Sequence, residues 1–182
     1  MKSNFVTDVD AIRRRAREHI EEGAVTAAYG ADREVVLKLL NEALATEIVC
    51  VLRYKYHYFM ATGPTSTAVA AEFNEHAAEE QEHADRIAER ICQLGGVPNL
   101  HPNGLLSRSH SEYVEGKTLT DMIKEDLVAE RIAIDSYMEM IKYVGEKDPT
   151  TRRLLEDILA KEEEHAEDLQ ELLAQQPAST AS

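Results

Sequence analysis

The sequence predicts an all-α chain: a four-helix bundle with a long connection between its second and third helices and an extra helix in front. Three observations predict it. Apolar residues recur at alternate steps of three and four along four long stretches. Period-2 alternation is never sustained, so no strand is expected. Only 8 Gly and 5 Pro punctuate 182 residues, which suits long helices.

The elements follow in order. A short helix is expected over residues 8–22, opening at Thr7 or Asp8 and stopped by Gly23. Its basic run, Arg13 to Arg17, could touch DNA or a partner, but Glu18, Glu21 and Glu22 favour a solvated face. The first long helix should run from Asp32 to Thr62 and end at Gly63-Pro64. The second opens at Ser66 or Thr67 and stops at Gly95-Gly96. The third begins at Thr118, with Asp121 three residues on in a near capping box, and closes at Gly145. The fourth starts at Asp148-Pro149, an acidic cap with proline at the first helical position, and fades by Ala174. The chain thus divides into an extension (1–31), the bundle (32–174) and a polar tail (175–182) expected to be disordered.

Tight turns make helices one and two, and three and four, antiparallel hairpins. About twenty residues join the second helix to the third, and a connection that long is expected to cross the full length of the bundle, leaving those two helices parallel.

Composition narrows the function. The formal charge of -14 argues against a nucleic-acid binder, which needs clustered Lys and Arg, and suits a protein that concentrates cations. Cys50 and Cys92 are too few for a disulfide scaffold and lack metal-site spacing, so a reducing cytoplasm is expected. Both read as small core residues on opposite sides of the bundle's middle. The start, MKSNFVTDVD, has no apolar signal region, and no run is long enough to span a membrane.

Polar residues interrupt every apolar seam. The seams read Val36, Leu40, Ala43, Glu47, Cys50, Tyr54, His57; then Phe73, Ala77, Glu80, Ala84, Ile87, Ile91, Leu94; then Ile123, Leu127, Glu130, Ile134, Tyr137, Ile141, Val144; and Leu155, Ile158, Glu162, His165, Leu169, Leu172. Each carries a glutamate near its middle, and Glu80 and Glu162 each have a histidine three residues on, His83 and His165. A lone Glu-x-x-His is weak, since 24 glutamates and 7 histidines supply roughly one by chance. Spacing discriminates. Glu47 and Glu80 are 33 residues apart and Glu130 and Glu162 are 32 apart, so all six groups fall at one height. Tyr54 and Tyr137 each follow their helix's glutamate by seven residues, which makes the hairpins two copies of one plan.

Four carboxylates buried at one level repel and pay for desolvation. Either they protonate or cations join them. Two divalent ions balance four glutamates, with neutral imidazoles completing the coordination. A carboxylate-rich set with one imidazole per ion suits Fe(II) or Mn(II) better than zinc. On this reading, removing Glu80 or Glu162 should relieve repulsion in the metal-free protein.

One Glu from each of two helices and Glu-x-x-His from each of the other two is the ferritin-like di-iron plan. From Asp32 to Leu173 the chain resembles the bacterioferritin family in LNEALATE (Leu40–Glu47), EHADRIAERICQLGGVPNL (Glu82–Leu100), DLVAE (Asp126–Glu130) and EEEHAEDL (Glu162–Leu169). The resemblance implies Glu47 and Glu130 as terminal carboxylates, Glu80 and Glu162 as bridges, and His83 and His165 as terminal imidazoles to two iron ions per chain, which manganese or zinc could replace in crystals. Tyr54 matches a tyrosine beside that family's centre, and Tyr137 joins it by the repeat. Gln81 stands where bacterioferritins carry a haem-binding Met, so no haem is expected.

A longer crossover, and a short polar tail in place of a fifth helix, resemble the Dps family and imply a homo-oligomeric shell of 12 subunits rather than 24. The implied activity is a cytoplasmic ferroxidase that oxidises Fe(II) with O2 or H2O2, stores ferric mineral and protects against oxidative stress. A di-manganese catalase, a rubrerythrin-like peroxidase and a DNA-protecting shell are the alternatives. His19, His57, His76, His101 and His110 are expected to be structural or surface residues, with iron transit the alternative.

Overall fold

In a computed structural model, residues 7–176 are described; they form six helices and a 3-10 turn, with no strand among them. The four bundle helices are α2 (Arg33–Met60), α3 (Ser66–Gln93), α5 (Leu119–Val144) and α6 (Pro149–Ala174). Two short helices complete the set, α1 (Val9–Arg15) and α4 (Leu105–Arg108).

The helix boundaries lie where the caps put them. Asp32 accepts from the amides of Glu34 and Val35 at 3.1 and 3.2 Å, satisfying free donors at the start of α2. Thr118 and Asp121 form a complete capping box at α5. Asp148 caps α6 through Thr151, ahead of Pro149. Gly95, with φ of 74°, turns the chain out of α3 in the left-handed region that favours glycine.

The extension departs from the sequence reading. A single helix over 8–22 is expected, yet α1 stops at Arg15, His19 turns left-handed at φ 51°, and only a 3-10 turn, Ile20–Glu22, follows. No residue of α1 is buried, and a short helix without packing is marginal. Arg13, Arg14 and Arg15 are exposed in its last turn. The segment after it is anchored: Val25 is buried, and Tyr29 donates to Asp148 Oδ2 at 2.9 Å. Part of the tail expected to be disordered, residues 177–182, lies outside the described residues.

Hydrogen bonds fix the topology. Gly30 before α2 bonds the carbonyl of Lys147 after α5, and Arg90 near the end of α3 bonds Asp148 at the start of α6. At the opposite end Arg53 donates to the carbonyl of Glu112, just ahead of α5. The connection between α3 and α5 therefore traverses the bundle, interrupted by α4, and α3 and α5 run parallel. Arg53 also binds Asp126 at 2.8 Å, and His57 bridges Asp126 and the carbonyl of Glu115 at 2.7 and 3.0 Å. This buried set ties the end of the crossover to α2.

All seven expected seam residues of α2 and all seven of the second seam are buried. On α5 the seam is rotated. Ala129, Ala133 and Met140 are buried, whereas Leu127, Ile134 and Ile141 are only half-buried. Glu130, Tyr137 and Val144 remain at its centre. Cys50 is buried but Cys92 is exposed. It follows Ile91 by one position and so turns to the outer face of α3, which corrects its reading as a core residue. No helix among the described residues is long and apolar enough to cross a membrane.

Candidate metal centre

The six residues singled out by the seams meet at mid-height, each exposed by 4 % or less. Glu47 comes from α2, Glu80 and His83 from α3, Glu130 from α5, and Glu162 and His165 from α6. Their ligand atoms form two overlapping groups: Glu47, Glu80, His83 and Glu162 in one, and Glu80, Glu130, Glu162 and His165 in the other, each with its ligand atoms within 4.8 Å of one another. Glu80 and Glu162 belong to both. His83 Nδ1 lies 2.9 Å from Glu162, 3.2 Å from Glu80 and 3.5 Å from Glu47. His165 Nδ1 lies 3.5 Å from Glu80 and 3.6 Å from Glu162.

Both tyrosines reach across the bundle. Tyr54 on α2 donates to Glu130 on α5, and Tyr137 on α5 donates to Glu47 on α2. Burial, reinforced by the neighbouring carboxylates, pushes both phenols well above their ordinary range, so both keep their protons.

Eight buried side-chain polar atoms among the described residues have no hydrogen-bond partner, and six belong to five of these residues: Glu47 Oε2, Glu80 Oε1, Glu130 Oε2, both oxygens of Glu162, and His165 Nδ1. Buried acceptors are otherwise nearly always paired. A donor set rich in unpaired carboxylate oxygens fits hard or borderline divalent cations.

Without a cation the cluster relies on protons. Burial, followed by the charge of Glu80, drives Glu47 up to about 8, and burial with the charges of Glu80 and Glu162 drives Glu130 well above the carboxylate range. Burial pushes Glu80 and Glu162 the same way, but the imidazoles and the protonated carboxyls beside them outweigh it and hold both low. The imidazoles respond in kind. Burial opposes their protonation, yet the facing carboxylates of Glu162 and Glu80 hold His165 up to about 11 and, with Glu47, raise His83 further. Two neutral carboxyls, two carboxylates and two imidazoliums sum to zero charge.

Two contributors escaped the seam reading. Glu79 accepts from His165 Nε2 at 2.7 Å and sits 3.3 Å from Lys161, fixing the ring so that Nδ1 faces the cluster. The stretch EEQEH carries Glu79 beside Glu80, but adjacent helical residues point apart and only the structure shows where Glu79 reaches. His76 is buried, stacks on His165 with ring centroids 4.0 Å apart, and lies 3.2 Å from the Tyr54 hydroxyl. His57 is buried in the Asp126 network, while His19 and His101 are exposed and His110 bonds Ser136. Gln81 faces outwards and bonds Asp85 at 2.9 Å.

Residues 37–178 match the ferritin-like domain of the ferritin family. The chain belongs to that family. It is 35% identical to the bacterioferritin of Mycobacterium tuberculosis over 136 residues, 74% of this chain and 81% of that protein. It is 32% identical over 152 residues to the DNA protection during starvation protein of Pyrococcus furiosus, covering 82% of each. Among solved structures, the dodecameric thioferritin of Bacteroides fragilis, a bacterioferritin-related protein, superposes with a TM-score of 0.77 at 34% identity, covering 80% of this chain and 88% of that one. The Dps of Thermosynechococcus elongatus gives 0.75 at 25% identity, covering 81% and 96%. Bacterioferritin-like and Dps-like features are thus both present in this ferritin-family chain.

Proposed function

We propose that the chain is a ferroxidase subunit of an iron-storing shell, and that its six central residues hold two iron ions. The observation that carries this is the pair of overlapping ligand groups sharing Glu80 and Glu162, in which most unpaired buried polar atoms are ligand atoms facing the shared space. Glu80 and Glu162 bridge the two ions; Glu47 with His83, and Glu130 with His165, complete each end. Glu79 holds His165 in its ligating tautomer, and the phenols of Tyr54 and Tyr137 steady the terminal carboxylates.

Two Fe(II) ions give up one electron each. H2O2 takes both electrons and two protons to become two waters, or O2 takes them to become H2O2. Splitting the transfer between paired ions avoids one-electron products, which accounts for a protective role against oxidative stress. The formal net charge of -14 draws Fe(II) to the protein. The dodecameric relative supports a homo-oligomer of 12 subunits storing the ferric product, and the chemistry suits the cytoplasm.

Anaerobic Fe(II) titration of the assembled protein, with its mass measured in parallel, tests the reading. It should bind two ions per chain at the centre, oxidised rapidly by O2 or H2O2, and Glu80→Ala or Glu162→Ala should abolish the fast phase. Unaltered oxidation kinetics in both variants would reject it. A DNA-protecting role, suggested by the starvation-protein relative, would instead show as a gel shift at physiological salt that disappears when Arg13, Arg14 and Arg15 are replaced.

A further inference from the structure

Three more side chains converge on the groove between α3 and α6. Glu72 and His76 are four residues apart on α3, one above the other on a single face. Asp168 lies one turn beyond His165 on α6. His76 Nε2 is 3.4 Å from Glu72 Oε1 and 3.8 Å from Asp168 Oδ2, and the three residues' ligand atoms lie within 4.8 Å of one another.

The imidazole's other nitrogen says what Nε2 carries. Tyr54 has one hydroxyl hydrogen and gives it to Glu130. The 3.2 Å bond between His76 Nδ1 and the phenol oxygen therefore has Nδ1–H as its donor. In the neutral ring this leaves an unshared pair on Nε2, and Nε2 makes no hydrogen bond among the described residues. A side chain only 2 % exposed thus aims an acceptor at two carboxylates. Three acceptors facing one another call for a cation between them.

The arrangement is built into one half of the repeat alone. The positions equivalent to Glu72, His76 and Asp168 hold Leu154, Ile158 and Arg86, which offer no ligand set. Glu72 and Asp168 are 33 % and 43 % exposed in their side chains, while the His76 ring stacks on His165. The cluster therefore opens to solvent at one end and abuts the buried centre at the other. His76 is four residues before Glu80, a rise of about 6 Å.

We infer that Glu72, His76 and Asp168 form a third divalent-cation site, which takes Fe(II) from solvent and passes it to the buried pair. One imidazole and two carboxylates suit Fe(II), Mn(II) or Co(II). The loading role rests on the two-iron reading above; the binding site does not.

Anaerobic equilibrium dialysis of the full chain against Co(II) separates the two. The unaltered protein should hold three ions per chain, the Glu72→Gln/Asp168→Asn variant two, and the Glu80→Ala/Glu162→Ala variant one. Equal binding by the unaltered protein and the Glu72→Gln/Asp168→Asn variant would overturn the third site, while a count of two in both would leave the pair standing. A single ion in the unaltered protein, kept by the Glu80→Ala/Glu162→Ala variant and lost from the other, would sink the pair and uphold the third site. In stopped flow with limiting Fe(II), loss of the two exposed carboxylates should slow filling of the pair about tenfold, the lower end of electrostatic focusing. An unchanged rate would overturn the loading role.

Discussion

Tyr137 on α5 donates its hydroxyl to Glu47 on α2, two elements from different hairpins, and Tyr54 returns the same bond from α2 to Glu130 on α5. Glu47 and Glu130 are thus each held by the tyrosine of the opposite hairpin, so the bonds fasten the halves together. Tyr137→Phe removes one donor from a fully buried carboxyl. We expect the metal-free protein to lose about 1 kcal/mol, read as a lower urea midpoint at unchanged slope, while two cations still bind. An unshifted midpoint would mean the bond adds nothing to the fold.

The charge pattern separates the glutamates into two kinds. The sequence suggests that removing Glu80 or Glu162 relieves repulsion, but these are the two that stay ionised and face the imidazoliums. Glu47 and Glu130, which burial keeps protonated, carry no charge to repel. Glu130→Gln copies a neutral carboxyl and should change metal-free stability little. Glu80→Gln strips a buried charge from its partners and should cost about 3 kcal/mol. Denaturant titrations of both variants at neutral pH measure the contrast; equal losses would contradict the assigned protonation.

These protons make the metal-free fold sensitive to base. Glu47 is raised from 4.5 to about 8, and His165 from 6.5 to about 11. Both hold protons that the unfolded chain releases, so their stabilisation is present below the ordinary values and is lost as pH rises through the raised ones. Glu80 and Glu162, held low, act oppositely and only in acid, below 4.5. Metal-free stability should therefore fall steadily from about pH 6 to pH 9. Cations would take the protons' place, so filling the pair at pH 6 should release about four protons, and fewer at pH 9. A weakly buffered Zn(II) titration with a pH indicator counts them, and a count near zero at pH 6 would refute the scheme.

Much of this was legible because a bundle converts spacing into height. Glycine and capping residues give helix ends, and equal distances from each turn bring Glu47, Glu80, Glu130 and Glu162 to one level. What lay hidden were contacts off the seam. Asp126 sits one position from the assumed seam residue Leu127, and its burial with Arg53 and His57 depends on the crossover laying Glu112 and Glu115 against α2. A small rotation of α5 decides this, and seam periodicity does not specify it. The break in the first helix was hidden for the opposite reason: its local signals favour helix, but no core receives it.

Glu79 gives the sharpest difference between the two imidazoles. Its bond to His165 Nε2 holds that ring, whereas the equivalent position in the other half is Lys161, which cannot accept from His83. Lys161 instead approaches Glu79 itself at 3.3 Å. Losing a partner that orients a ligating histidine typically weakens metal binding 10- to 100-fold. Glu79→Ala should therefore weaken the ion at the Glu130–His165 end by about tenfold or more, leaving the Glu47–His83 end nearly unchanged. Co(II) titration followed by its visible absorption would resolve the two sites as one tight and one weakened step. Equal weakening of both steps would place Glu79 in general electrostatics rather than in holding one ring.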